Sequence, residues 1–507
     1  MAVQFAFLAL PIAILCFGVL DVNRASVQKR QLQDALDAAA LAAARSQSTT
    51  PEALQAAGAQ ALVAELAVLR DARLVSSSFV QNGPTVVASA AMDVEPIVSQ
   101  LWLQGDMRVG ATADVVRTLN RLEVAMVLDT TGSMGDTLNS TQTKIAALRV
   151  AANNFVTTLS AAAERSLEPD SVRIGIVPFA AMVNVGADHE SAAWLDWTGA
   201  APVSQAPFRS PPSFTPTFNN NPVNRRSLFT SLRTDWSGCV EARDAGQNLD
   251  ALDTAPTSAQ PATLYTPFFA LDEPNLTGAQ NNYRTDTLSG SSRSDWYQRQ
   301  AATNKYGGSP SGGQGPNAGC GMRPITPLTN EWDDLHDAID DLNASGLTNI
   351  PMGLMWGWNL VSPNGPVQGP QPTRAYGAER NTKIIVLMTD GDNTYSRITD
   401  GYNGSARGAY GYIWEGRLPG VTAGSYTASD STRVTAMNNR MTLLCNNIRA
   451  QGIRVYSIGV GVSTNTRTLL RNCATSADMY YDVTGAAQMN AAFNAIAGSI
   501  DNLRIAR

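Results

Sequence analysis

The first twenty residues, "MAVQFAFLALPIAILCFGVL", carry no charge and a single Gln. At about 1.5 Å per residue in a helix, they just reach across the roughly 30 Å hydrocarbon core of a bilayer, which predicts a transmembrane helix over 1–20. The run lacks the basic start and small-x-small exit of a cleaved signal peptide, so it reads as a retained anchor. Beyond it, "SVQKRQLQDALDAAALAAARS" sets Leu32, Leu36 and Ala39 on one helical face and extends the helix outward. A second helix is predicted to start with Thr50 as N-cap and Pro51 at the first helical position. The segments "ARLVSSSF" and "TVVASAAMDV" alternate apolar and polar residues around the turn signal "NGP". Residues 21–118 therefore predict a small helical and β stalk module.

From residue 119 onward the pattern is different. "EVAMVLD" is short and continuously apolar, as in a strand buried on both faces of a parallel sheet. Ile145, Leu148, Ala152, Phe155 and Leu159 follow at helical spacing, and "VRIGIVPF", "TKIIVLMTDGDN" and "IRVYSIGVGV" supply further strands. A helix bearing Leu335, Ile339 and Leu342, and a last one bearing Phe493, Ile496, Ile500 and Leu503, complete the alternation. This predicts an α/β class, a doubly wound, mostly parallel, Rossmann-like sheet spanning 119–507. Two polar stretches interrupt it, at about 187–325 and 394–432, and loops of that length inside a domain are functional or disordered as a rule.

Composition narrows the function. The net charge of −6 comes without any basic cluster, so no nucleic acid partner is expected. Only His189 and His336 occur, and no C-x-x-C pair exists, which argues against a zinc site and against His-assisted nucleophilic catalysis. Phosphate-loop and G-x-S-x-G signatures are absent. Apart from Cys16 in the apolar run, Cys239, Cys320, Cys445 and Cys473 form an even set, compatible with two disulfides in an oxidising compartment or with four buried thiols. Cys445 and Cys473 fall before and after one strand, and Cys239 and Cys320 flank much of the large interruption, so Cys239–Cys320 and Cys445–Cys473 are the expected pairs. Arg24, Lys29 and Arg30 follow the apolar run, and the positive-inside rule taken alone would put the bulk of the chain in the cytoplasm. The disulfide reading puts it on the far side.

The candidate chemistry lies at strand ends. "DTTGSM" (129–134) leaves the first strand of the sheet and "TDGDN" a later one, and ligands of open parallel sheets sit outside those carboxyl ends. Asp129 and Asp390, with Thr131 and Ser133, offer hard oxygen atoms suited to Mg²⁺, Mn²⁺ or Ca²⁺. Two carboxylates balance a divalent charge and neutral hydroxyls complete the shell.

Here the chain resembles the von Willebrand factor A (vWA) family and its metal-ion-dependent adhesion site, whose pattern is D-x-S-x-S, a distant Thr and a strand-end Asp. Asp129, Thr131 and Ser133 match the first part, with Thr for the first Ser. Thr348 in "GLTNIPMGL" and Asp390 match the rest. The resemblance implies metal ligation by Asp129, Thr131, Ser133, Thr348 and Asp390, with Mg²⁺ first and Mn²⁺ or Ca²⁺ as alternatives, and with one position left for an Asp or Glu carboxylate of a protein partner. "AVQFAFLALPIAIL", "WSGCVEAR", "GLTNIPMGLMWGWNLVSP" and "AFNAIAGSIDNLRIAR" further resemble TadG-type (TadE/TadG-like) proteins of the tight-adherence Flp pilus system. That resemblance implies a pilin-like 21–118 module, a single-pass inner-membrane anchor, an exported vWA domain and a pilus or envelope partner. Gln4 stands where related starts carry Glu, and a short basic leader upstream of Met1 is expected.

Aromatic residues after Asp390, namely Tyr402, Tyr410, Tyr412 and Trp414, are expected to contact the partner, with a mini-core within the inserts as the alternative. Trp194, Trp197, Trp236 and Trp296 belong to the larger insert. Two rival functions stand beside pilus assembly: an independent surface adhesin, and a metal-dependent phosphohydrolase. The latter is disfavoured because position 131 is Thr where a second Asp is needed and no Lys or Arg adjoins the motif in sequence. The protein is thus expected not to be an enzyme.

Overall fold

The computed structural model describes residues 2–46, 50–67, 72–82, 85–96, 106–116, 120–138, 142–164, 166, 168, 170–209, 222–398 and 401–505, with side chains described only for 19–501 of these. The chain divides into two compact units, one built mainly of residues up to Asn120 and the other of Arg121–Ala163 with Asp170–Asp501.

In the first unit, α1 (Ala2–Arg45) and α2 (Pro51–Leu66) lie on a three-stranded antiparallel sheet of β1 (Ala72–Asn82), β2 (Thr85–Val94) and β3 (Met107–Val116), ordered β1-β2-β3. Alanines at 35, 39, 40 and 43 let α1 approach the sheet, and Leu32, Leu36, Leu54, Leu62, Phe79, Val86 and Met92 close the core. As the sequence predicts, Thr50 caps α2 by accepting the Ala53 N–H at 3.2 Å, with Pro51 in the first turn. Among the described residues, no helix is long and apolar enough to cross a membrane. The expectation of a span over 1–20 falls almost entirely on residues whose side chains lie outside the described set.

The second unit carries a six-stranded sheet of β4 (Arg121–Asp129), β5 (Val172–Phe179), β6 (Thr326–Thr329), β7 (Asn381–Thr389), β8 (Arg454–Val460) and β9 (Tyr480–Val483). Its order is β9-β8-β7-β4-β5-β6, parallel throughout except for the antiparallel edge strand β6. Period-two alternation sends Val124, Met126 and Leu128 to one face and Ala125 and Val127 to the other, and both faces are covered. The first face receives α3 (Lys144–Glu164), α4 (Trp332–Asp340) and α8 (Ala486–Ile505), where Phe155 meets Phe493 edge-on at 5.9 Å. The opposite face receives α5 (Ile350–Val361), joined by α6 (Asp430–Ala450), while α7 (Thr464–Cys473) follows β8.

Helix α5 is pressed onto the strands through glycine. A Cβ on Gly357 would come within 2.3 Å of Val127 Cγ2, and one on Gly353 within 2.4 Å of the Phe179 ring. Each interior glycine costs a helix roughly 1 kcal/mol relative to Ala, and close packing on the sheet offsets it.

The described residues of the interruptions form short elements with a packed core. Short helical segments at Arg225–Leu232 and Arg293–Ala301, and a two-residue pairing of Val183–Asn184 with Cys239–Val240, frame a core continuous with the α5 face of the sheet. Both expected disulfides are present, Cys239–Cys320 and Cys445–Cys473.

Candidate functional site

Strand β4 is followed in sequence by β5 on one side, whereas β7 lies on its other side, so the connection reverses between β4 and β7. That reversal opens a crevice at the carboxyl ends of the two strands. Asp129 is the last residue of β4 and Asp390 the first after β7.

The turn after Asp129 is fixed by backbone bonds to a second loop. Gly132 N–H donates to Gly346 O at 2.9 Å and Ser345 N–H to Thr130 O at 2.8 Å, which brings 345–348 beside "DTTGSM". Thr348 is clamped to the third loop: its N–H donates to Thr394 Oγ1 at 2.7 Å, and Thr394 N–H returns to Thr348 O at 2.8 Å. Asn393 of that loop accepts the Ile350 N–H at 2.9 Å, so the start of α5 and the segment after β7 are tied together.

Within the crevice, Asp129 Oδ1 accepts the Thr131 N–H at 2.8 Å and Oδ2 the Thr389 hydroxyl at 2.6 Å. Thr131 Oγ1 and Ser133 Oγ share a hydrogen bond at 3.1 Å, and Ser133 donates to Asp390 Oδ1 at 2.7 Å. Gly391 leaves the centre open: a Cβ there would stand 3.6 Å from both Ser133 Oγ and Thr348 Oγ1. All five residues singled out from the sequence thus converge, four of them buried and Ser133 half-buried.

Burial, and then the facing charge of Asp390, push the Asp129 carboxyl up to about 6, against the pull of hydrogen bonds from Thr131 and Thr389. A buried carboxyl that faces a second carboxylate has its charged form stabilised by a cation. Among the described residues no cluster of three or more His, Cys, Asp or Glu is arranged to hold a metal ion. Two carboxylates and three hydroxyls do not make such a cluster, yet they are a donor set suited to a hard divalent cation rather than to zinc.

One sequence-based expectation needs correction here. Lys144, the first residue of α3, places Nζ 2.8 Å from Asp390 Oδ2 and 3.9 Å from Asp136 Oδ2, so a basic side chain does adjoin the motif. Sequence reading also missed Thr389. The signal for Lys144 is a basic residue opening a helix whose first turn holds no acid, where the helix dipole disfavours positive charge.

The partner-contact expectation is also corrected. Tyr410, Tyr412 and Trp414 are buried and present no surface to a partner. Trp414 Nε1 donates to Asn403 Oδ1 at 2.9 Å, and its ring packs on Tyr297 at 4.5 Å. The Tyr410 hydroxyl donates to Asp250 Oδ2 at 2.8 Å and that of Tyr412 to Glu273 Oε1 at 3.2 Å. Both tyrosine bonds and the Trp414–Tyr297 contact join the two inserts, so hydrophobic burial with a satisfied polar tip holds these rings inside. Tyr402 is half-buried, packs on Trp296 at 4.8 Å and donates its hydroxyl to Thr277 O. Trp197 and Trp236 are buried as well, packed edge-on at 5.4 Å.

Fold and site together define a doubly wound α/β unit with an oxygen-donor crevice at its switch point. The TadE/TadG-like resemblance is found at the N-terminus, where residues 1–46 match the family model described as Tad, putative Flp pilus-assembly TadE/G-like. No curated protein matches the chain. Among solved structures, the vWF domain of the type V pili tip protein Mfa5 from Porphyromonas gingivalis is similar at 11% identity and a TM-score of 0.33, over 75% of this chain and 95% of that one. The pilus adhesin RrgA from Streptococcus pneumoniae is similar at 11% identity and a TM-score of 0.34, over 85% and 49%. The pilus adhesin SpaC from Lactobacillus rhamnosus GG is similar at the same identity and score, over 85% of this chain; the chain spans 34% of SpaC's length.

Proposed function

We propose that the protein is a membrane-anchored, exported component of the tight-adherence Flp pilus system, and that its second unit is a vWA domain binding a pilus or envelope protein through a divalent metal. The observation that carries the metal reading is the meeting of Asp129, Thr131, Ser133, Thr348 and Asp390 at one crevice from three separated loops. The system assignment rests on the N-terminal family match.

Asp129 and Asp390 would hold the ion, with Thr131, Ser133 and Thr348 supplying neutral oxygens, and Mg²⁺ is the first candidate. A bound divalent ion supplies an electrophilic point at which a partner's Asp or Glu carboxylate completes the coordination. The chain's own residues fix where that carboxylate docks: the 345–348 loop and the segment after β7 are locked to each other by the Thr348–Thr394 pair of bonds. The role is binding and not catalysis, because Thr131 occupies the place where an acyl-phosphate chemistry would need a second Asp.

Anchoring by residues 1–20 is supported by the described end of that run, where Val19 and Leu20, and Val22 just beyond it, are exposed. Titration calorimetry with Mg²⁺ and Mn²⁺ tests the site. Asp129→Ala should abolish binding while the sheet stays folded by circular dichroism; equal affinity in the two proteins would overturn the assignment.

A further inference from the structure

Each carboxylate oxygen of the crevice already has a partner, and only one of those partners is charged. Asp129 is held by the Thr131 N–H and the Thr389 hydroxyl, and Asp390 Oδ1 by the Ser133 hydroxyl. Asp390 Oδ2 is held by the Lys144 ammonium at 2.8 Å. The Asp390 side chain is 0% exposed and that of Lys144 only 17%, so a residue type that normally keeps its ammonium in water brings it to the crevice. It does so from the first position of α3, where the helix dipole opposes a cation. The attraction of Asp390 is what outweighs both costs.

We propose that Lys144 is a tethered monovalent cation that competes with the divalent ion for Asp390, and that Asp136 receives its ammonium when the ion binds. This deepens the metal reading given above and rests on it. An arriving ion meets the ammonium at a shared carboxylate, and two positive charges at that separation repel strongly in a poorly solvated crevice. Lys144 has a nearby alternative. Asp136 Oδ2 lies 3.9 Å from Nζ, and the Asp136 side chain is 72% exposed, so the ammonium can exchange one carboxylate for another by rotating its own stem. The start of α3 need not move, because Lys144 N–H is bonded to Asp136 O at 3.0 Å and keeps the two residues together. In this arrangement the metal-free protein carries its own counter-charge. Ion binding then converts a closed crevice, with Lys144 across Asp390, into one open to a partner's carboxylate.

The test is Mn²⁺ binding to the full chain in mild detergent, measured by calorimetry for wild type, Lys144→Met, Asp136→Asn and the double variant. Lys144→Met should bind Mn²⁺ about tenfold or more tightly than wild type, the scale of one unit charge removed at ion-pair distance. Asp136→Asn should weaken binding several-fold in the wild-type background and leave it unchanged in the Lys144→Met background, since among the described residues Lys144 is the side chain paired with Asp136. Lys144→Gln, which keeps a donor for Asp390 without the charge, replaces Lys144→Met should the latter fail to fold without metal. Equal or weaker Mn²⁺ affinity in the lysine variants, or the same loss from Asp136→Asn in both backgrounds, overturns the competition while the metal site stands. Absence of Mn²⁺ binding in wild type and every variant overturns the metal reading and this inference with it.

Discussion

Asp129 has no exposed surface, and its carboxyl is pushed up from 3.8 to about 6 by burial and by Asp390. A folded-state value above the unfolded one means that the metal-free folded protein binds this proton more tightly than the unfolded chain. This group's contribution to stability is therefore fully present below about pH 4 and is lost as the pH rises through about 6. A divalent ion needs the same carboxylate deprotonated, so proton and metal compete. Mn²⁺ affinity should be constant above about pH 7 and fall by about tenfold per unit below 6; a flat profile between pH 5 and 7 would show that Asp129 is not a ligand. The proposed ligand set was legible in the sequence because its members sit beside strand ends or a helix start that hydrophobic patterning locates: Asp129 after "VAMVL", Asp390 after "IIVLMT", Thr348 before a helix. Thr389 was not legible, since its value lies in a contact spanning 260 residues, and for Lys144 the sequence shows a basic residue at a helix start but not the carboxylate 246 residues away that it meets.

At the scale of elements, the two inserts are bound together by buried charge. Glu241 follows the two-residue strand at Cys239–Val240 and accepts from Arg225 at 2.6 Å, Arg407 at 2.7 Å and Arg417 at 2.5 Å, all four side chains being buried. Burial alone would raise its pKa, but the three arginines outweigh it and hold the carboxyl down, from 4.5 to about 2. With the folded value depressed, this stabilisation is present above about pH 4.5 and is lost as the pH falls toward 2; it is on the order of 3 kcal/mol. Urea titrations at pH 6, 4 and 2.5 should show that loss, and Glu241→Gln should cost about 3–5 kcal/mol at pH 6 and flatten the acid limb, because it leaves buried guanidinium groups unpaired. Trp414→Ala should likewise destabilise by about 3–5 kcal/mol with Mn²⁺ affinity unchanged, as expected for a ring packed in a core. Retained stability with lost partner binding would restore the recognition role that its burial argues against. Four strands of the six-stranded sheet, β4, β5, β7 and β8, could be read from their apolar runs. The inserts could not, because Pro, Asn, Ser and Thr conceal a core assembled from isolated aromatics such as Phe229, Phe269 and Tyr306, which meet edge-on at 5.2 Å without any local period. Strands β3, β6 and β9 were not legible either.

At the scale of the whole molecule, two sequence signals pull in opposite directions, and the disulfides favour the proposed export. Arg24, Lys29 and Arg30 follow the apolar start, and the charge rule alone would leave the bulk of the chain in the cytoplasm. The disulfides Cys239–Cys320 and Cys445–Cys473 close loops with sequence separations of 81 and 28, and pairs of this kind persist in oxidising compartments. In the chain-entropy picture each contributes about 3–5 kcal/mol by restricting the unfolded chain. A protein retained in a reducing compartment would lose both contributions. The positive-inside rule, by contrast, is a bias counted over the residues flanking a span, and three charges on one helix are a weaker constraint than two covalent bonds. The expected orientation is therefore N-terminus inside and C-terminus outside. Fused after Arg507, alkaline phosphatase should be active and green fluorescent protein dark, and non-reducing peptide maps of the protein should recover both cystine pairs. Fluorescence from the green fusion, together with four free thiols in the map, would place the second unit in the cytoplasm and remove the envelope role proposed for its metal site.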